Sequence, residues 1–416
     1  MIADTKEVTM NKVNVLIIIF SIVCLGSVFS SEISHKKILL NSFYTKNELV
    51  QLNNLNYSLC NKDSAVDYNA AGVLKNNSGD YVQAITLFTK ALESDSTFIA
   101  AYLNRAFSKK QLLDYKGALL DYNHVLRFQL SWEESYEAHY NMGLVQALLS
   151  NLKGAMANFN YAIKLNPEHA DAFFNRSIVK GRIGDYPGEL ADINKAIALN
   201  PLDCEAFNSR GIVKSIMGDY PGALKDYTQA ISLNGSNPSC YFNRALILYE
   251  MKEYLSALND FNMAINIKPD AEIFNRRANV KCRLNDFRGA FDDYNAAITM
   301  YPDYYVAYLN RGYLKSDLKD YTSAIEDYTM AIKLKPDYSL AFYSRGLAKE
   351  KLGDHKGGIE DYTMAIEYKP DYDNAYNQRG MAKYQLGDMR GGCDDLNDAV
   401  RLGSDLAYNN LIQYCK

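Results

Sequence analysis

Eight arginines in this chain are each followed, sixteen residues later, by an aspartate. They are Arg105 and Asp121, Arg176 and Asp192, Arg210 and Asp226, Arg244 and Asp260, Arg277 and Asp293, Arg311 and Asp327, Arg345 and Asp361, Arg379 and Asp395. A guanidinium beside a carboxylate has one strong chemistry, a forked ion pair with two parallel N–H···O bonds. The other use of such arginines is to grip carboxylates of a ligand. At the two equivalent places without arginine, Ala71 and Met142, the aspartate is missing as well, its place taken by Leu87 and Asn158. A ligand-reading arginine has no reason to vanish with a companion, so the spacing predicts ion pairs joining two local elements.

Amides and aromatic rings form a second set. Immediately before the arginine place stand Asn104, Asn141, Asn175, Asn243 and Asn310, with Ala70, Ser209, Arg276, Ser344 and Gln378 elsewhere. An amide carries a donor and an acceptor that match a peptide group whatever its side chain. The row is therefore a candidate grip on the backbone of an extended partner, and bridging of neighbouring elements is the competing use. Phe107, Tyr140, Phe174, Phe242, Tyr249, Tyr313, Tyr343 and Tyr384 lie nearby and offer stacking surfaces and apolar anchors. Packing within the protein competes for each of them.

Other chemistries find little support. No phosphate loop, nucleophile elbow or His-rich metal motif occurs, and the five histidines are scattered. The pairs Asp292–Asp293 and Asp394–Asp395 read as solvated or paired helix faces. Cys60, Cys204, Cys240 and Cys282 lack ligand spacing such as C-x2-C. No catalytic residue, metal or cofactor is expected. The net charge of −4 and the absence of a basic tract argue against nucleic acid as a partner.

The elements that must carry these residues come from an internal period. In residues 305–338 the apolar Ala324, Ile325, Tyr328, Ala331 and Ile332 recur at helical steps. Asp320 is placed to cap that helix, and Pro336 ends it because proline has no N–H and clashes with the preceding turn. Sliding by 34 residues repeats the pattern. About ten copies begin at Ala65, Ile99, Tyr136, Ala170, Cys204, Pro238, Ala271, Tyr305, Ser339 and Asp373. Each reads as two helices with a Gly-Asp turn such as Gly353–Asp354, where glycine accepts a left-handed backbone and aspartate caps the next helix. Residues 131–135, with the single tryptophan Trp132, lengthen the second copy and read as a surface loop.

Tyr308, Gly312, Ala324, Tyr328, Ala331 and Pro336 reproduce, in register with the other copies, the aromatic–Gly–Ala–aromatic–Ala–Pro signature of the tetratricopeptide repeat. From about residue 65 onward the chain resembles that family. The resemblance implies an all-α, right-handed superhelical α-solenoid of about ten helix-turn-helix repeats, with first helices lining a concave face. It also implies that these aromatic places turn toward the groove. In the similar O-linked N-acetylglucosamine transferases an asparagine ladder at the corresponding place grips the backbone of a peptide. The arginine place is usually apolar in the family, so the ion pairs are a departure.

Outside the repeats, residues 15–29 form an almost wholly apolar run, short for a membrane span and suited to the core of an export signal. Residues 1–30 are therefore expected to be a cleaved signal, or alternatively an uncleaved anchor, and 31–64 a linker with a possible N-terminal cap. The solenoid is assigned to 65–404 and a capping helix to 405–416. Cys393 occupies a core place filled elsewhere by Leu224 or Ile325, and Cys415 lies on the cap, so a Cys393–Cys415 disulfide is expected in an oxidising compartment. These features suggest an exported, periplasmic or envelope, non-enzymatic scaffold that binds other proteins or peptides, touching membrane only through its N-terminal segment. The alternatives are an envelope-assembly subunit working through convex and end surfaces, and a cytosolic co-chaperone, against which the export signal argues.

Overall fold

A computed structural model describes residues 64–415. The expected signal, anchor and linker, residues 1–63, lie outside the described residues. The rest divides into two compact units, 64–128 and 129–415. Unit one holds α1 (Ala65–Asn77), α2 (Tyr81–Ser94), α3 (Ile99–Gln111) and α4 (Tyr115–Val125). Unit two begins with α5 (Trp132–Leu148), α6 (Leu152–Leu165), α7 (Ala170–Arg182), α8 (Tyr186–Leu199), α9 (Cys204–Ile216) and α10 (Tyr220–Leu233). It continues with α11 (Pro238–Glu250), α12 (Tyr254–Ile267), α13 (Ala271–Arg283), α14 (Phe287–Met300), α15 (Tyr305–Asp317) and α16 (Tyr321–Leu334). It ends with α17 (Ser339–Lys351), α18 (His355–Tyr368), α19 (Asp373–Gln385), α20 (Met389–Arg401) and α21 (Asp405–Tyr414). Odd-numbered helices open each copy, even-numbered helices close it, and α21 is an extra first helix. All elements among the described residues are α-helices.

Within each unit, a first helix packs on its own second helix, and that second helix packs on the first helix of the following copy. This is the stacking that defines a solenoid: one two-helix brick cannot bury its apolar face, and its neighbour completes it. The buried faces follow the periodicity. Ala324, Tyr328 and Ala331 of α16 are at most 1% exposed, and the corresponding Ala223, Tyr227 and Ala230 of α10 are equally covered. Alanine is needed where helices approach closely and an aromatic ring fills the gap. Gly312 shows the tolerance: a β-carbon there would lie 2.6 Å from the Tyr328 ring.

The turns inside copies are uniform in backbone and varied in sequence. Gly79, Gly184, Gly218, Gly353 and Gly387 adopt the left-handed conformation, but so do Leu113, Ser150, Lys252, Asn285 and Lys319, with φ between 60° and 65°. In copy nine the Asp354 N–H reaches back to the Lys349 carbonyl, closing the first helix. The Asp354 carboxylate then accepts from the Gly357 N–H at the start of α18. The tertiary packing imposes the same turn where glycine is absent, at a cost of order 1–2 kcal/mol per non-glycine residue.

One expectation is corrected. Residues 131–135 are not a surface loop. Ser131 accepts from the Glu134 N–H while Glu134 bonds back to the Ser131 N–H, a complete capping box, and α5 therefore starts at Trp132 rather than Tyr136. The inserted residues add a turn to the helix because the Ser-x-x-Glu pattern satisfies its otherwise orphaned N–H groups. At the other end, Cys393 of α20 and Cys415 after α21 form a disulfide, with Cα atoms 5.7 Å apart. It closes over Leu396, Ala399 and Ala407, against which Leu411 packs.

Candidate binding face

The arginine places form a repeated polar node between the two helices of each copy. In copy eight, Arg311 Nε donates to Asp327 Oδ2 at 2.9 Å and Nη2 donates to Oδ1 at 2.6 Å. The other seven pairs have the same fork. The aspartates are buried, with side chains 3–8% exposed. Ionic contact between helices of one unit is therefore what the arginines do, and their carboxylate-binding forks are already occupied.

Three further partners escaped the sequence reading, although each has a periodic signal. Four residues after the arginine a lysine reaches the same aspartate in seven copies, as Lys315 does at 2.8 Å; copy six has buried Leu248 there. Three residues before it, an aromatic ring lies under the guanidinium in all eight copies, at 5.2–5.9 Å. The remaining nitrogen, Nη1, donates to an Asn or Thr on the second helix of the preceding copy, for example Asn295 at 2.6 Å from Arg311. The node therefore ties both helices of one brick to its neighbour. Copy three replaces the whole set by a neutral one: Asn158 bonds His139 at 2.7 Å and Gln146 at 2.8 Å, with Met142 in the arginine place.

The asparagine row sits on the first helices, half-buried, and its amides bridge consecutive copies. Asn104 donates to Asn69 at 3.1 Å, Asn243 to Asn208 at 3.1 Å, and Asn310 to Asn275 at 3.0 Å. Asn175 donates to the Tyr140 hydroxyl at 3.1 Å, and the cap continues the row with Asn410 donating to Asn377. The acceptor always occupies the fifth place of the preceding copy. In unit two, Phe174, Phe242 and Leu309 occupy that place in copies four, six and eight, and the sixth places that follow are Ser209, Arg276 and Ser344, so those three interfaces carry no amide pair of this kind. Asn141 donates to the Glu137 carbonyl of its own helix at 3.0 Å. This diagonal pairing of a sixth place with the fifth place of the copy before was present in the sequence and is visible only when adjacent copies are compared.

The aromatic candidates are half-buried, Phe107 being the most open at 36% exposed. Each is engaged by neighbours. Phe107 meets Tyr81 edge-on with Lys110 over its face, Tyr140 stacks with Tyr136, and Phe242 meets Phe261. Phe174 packs on the core of Ile193 and Val213. Tyr249 packs on Tyr254 and its hydroxyl accepts from Arg283. The Tyr313 ring meets Tyr328 and its oxygen bonds the Ser344 hydroxyl at 3.1 Å. Tyr343 packs on Tyr362 and Tyr372, and Tyr384 on Tyr414. Burial pushes the phenols of Tyr140, to about 12, and of Tyr313 and Tyr343 upward, so this surface is neutral and hydrogen-bonding through the physiological range.

The tetratricopeptide repeat description matches residues 305–338 and 340–372, and the TPR repeat description matches 216–252. The three matched segments are tetratricopeptide repeats. A 110-residue stretch is 30% identical to heat shock protein STI1 of Saccharomyces cerevisiae, covering 26% of this chain and 18% of that protein. The chain thus spans less than a fifth of that relative's length. Among solved structures, a tetratricopeptide repeat protein from Parabacteroides merdae is 20% identical, with a TM-score of 0.49, covering 59% of this chain and 99% of its own. Yeast Tom70 is 16% identical with a TM-score of 0.45, covering 86% and 89%. Among the described residues no helix is long and apolar enough to cross a membrane, and no cluster of His, Cys, Asp and Glu could hold a metal ion.

Proposed function

We propose that the chain is a non-enzymatic scaffold that holds an extended segment of a partner protein against its row of first helices. The observation that supports this most is the set of half-buried amides and phenols carried by successive first helices, at Tyr140, Asn175, Asn243, Asn310, Tyr313 and Tyr343. Such groups offer hydrogen bonds and flat apolar surface without net charge, which suits a backbone whose side chains vary. The amide bridges between copies place these groups at a fixed spacing, so a partner meets a preorganised surface. The same architecture supports an alternative, assembly of several proteins through the second-helix face, where Leu255 is 69% exposed.

Photo-crosslinking separates the two. A crosslinking residue at Tyr313 is expected to trap partners in intact cells, and one at Leu255 is not. Capture through Leu255 with none through Tyr313 would transfer the role to the outer surface. Export by residues 1–30 belongs to the same proposal, and the Cys393–Cys415 bond supports it, because such bonds persist in oxidising compartments. The mature protein is then expected to begin at Ser31, and mass spectrometry of its N-terminus is the test. A co-chaperone role, suggested by the likeness to heat shock protein STI1, requires a cytosolic protein beginning at its initiator methionine.

A further inference from the structure

In three copies the residue just before the next first helix carries an aromatic ring that sits over the first or fifth place of its own copy. In copy three His169 packs on Tyr136 and Tyr140, at 5.1 and 5.7 Å. In copy eight Tyr338 meets Tyr305 at 5.1 Å, with Lys335 over both rings. In copy nine Tyr372 meets Tyr343 at 5.0 Å, with Lys369 at 4.8 Å from its centre. Copy six, residues 238–270, is one residue short, and the missing residue is the one that supplies this ring: Lys268-Pro269-Asp270 runs directly into Ala271, where copy eight reads Lys335-Pro336-Asp337-Tyr338.

The seat remains. A cleft of about 200 Å³ opens there, lined by Pro238 and Phe242, the first and fifth places, by Lys268, the counterpart of Lys335 and Lys369, and by Asp270 and Ile273. It is smaller than the roughly 300–1,000 Å³ of a pocket for a whole small molecule and is on the scale of one side chain. The seat also falls at an interface with Phe242 in the fifth place, so no amide bridge crosses it.

We propose that this cleft is the anchor socket for a tyrosine side chain carried on an extended segment of a partner protein. The partner's ring takes the position that His169, Tyr338 and Tyr372 take in their own copies, on Phe242 and beneath Lys268, and its hydroxyl stays at the polar rim. The inference deepens the scaffold reading and rests on it, by naming the residue type that the row of first helices selects.

The probe is N-acetyl-L-tyrosinamide, with N-acetyl-L-leucinamide as control, added to the full chain labelled at isoleucine methyl groups. The Ile273 signal is expected to shift saturably with the tyrosine probe and several-fold less with the leucine probe. Inserting a tyrosine between Asp270 and Ala271 restores the 34-residue spacing, fills the socket from within, and abolishes the response. Lys268→Gln keeps the socket open and weakens binding by about 2- to 5-fold, the exposed cation–π range. No Ile273 response, an equal response to leucinamide, or a response that survives the insertion would each overturn the socket. The scaffold reading would still stand or fall by the Tyr313 and Leu255 crosslinks, so the two failures are distinct.

Discussion

Asp327→Asn is the sharpest test of the repeated ionic node. The Asp327 side chain is 4% exposed and receives Arg311 twice and Lys315 once, at 2.6, 2.9 and 2.8 Å, while the two cations are 17% and 13% exposed. Neutralising it leaves two largely desolvated positive charges facing each other, and removing one partner of a buried pair costs about 3–5 kcal/mol. Copy three supplies the compensation, since it fills the same places with Met142, Gln146 and Asn158. The triple variant Arg311→Met, Lys315→Gln, Asp327→Asn removes both unpaired charges and is therefore expected to recover much of the loss, short of all of it because Tyr308 stands where copy three has the His139 partner of Asn158. A stack of repeats does not melt as a single two-state unit, so the assay is local: hydrogen exchange of the α15 and α16 amides. The single variant should accelerate exchange by about 100-fold or more, at about 1.4 kcal/mol per decade, and the triple variant by far less. If the single and triple variants exchange alike, or the single variant changes exchange by less than about 5-fold, the aspartate is not neutralising buried charge and the account of the node fails.

Other consequences follow from particular residues. Lys319→Gly should stabilise copy eight by roughly 1 kcal/mol, because the residue has φ of 65° and glycine removes the steric cost of that conformation; denaturation with local exchange readout would show it. Reduction of the Cys393–Cys415 bond, which closes a loop of sequence separation 22, should cost about 3 kcal/mol, confined to α20 and α21; uniform destabilisation along the chain would contradict it. Burial pushes the Cys240 thiol from 9.0 up to about 11, so its contribution is intact below pH 9 and lost as pH rises toward 11; Cys240→Ala should flatten stability over that interval. Burial also raises the Glu189 carboxyl, so its contribution is present below pH 4.5 and lost above, and Glu189→Gln should raise the stability of copy four at pH 7 but not at pH 4.

Much of this was legible in the residues because repetition converts one helical pattern into many concordant instances. The period gave the helix starts of nine copies, and the joint loss of Arg and Asp gave the ion pairs, since an uncompensated buried charge is costly enough to bind two distant positions into one unit. The lysine, the aromatic ring and the Asn or Thr of the preceding copy were harder to see, because several residue types satisfy each place and each contributes a smaller energy. The start of α5 was missed because its capping box extends the helix ahead of the repeat frame.

Sequence alone determined the architecture: two-helix bricks must stack, because neither helix pair can cover its own apolar face, and alanine, aromatic and proline at fixed steps leave no other use for those faces. Only the tertiary structure decided what the polar and aromatic residues on the first helices touch. Asn243 and Asn310 turned out to reach the fifth place of the copy before, and the one-residue deletion after Asp270 turned out to leave a seat open over Phe242. The reason is one of distance in the chain: periodicity constrains which face a side chain occupies, whereas contact across a junction depends on how closely two copies approach, and that is set by the packing of every residue between them.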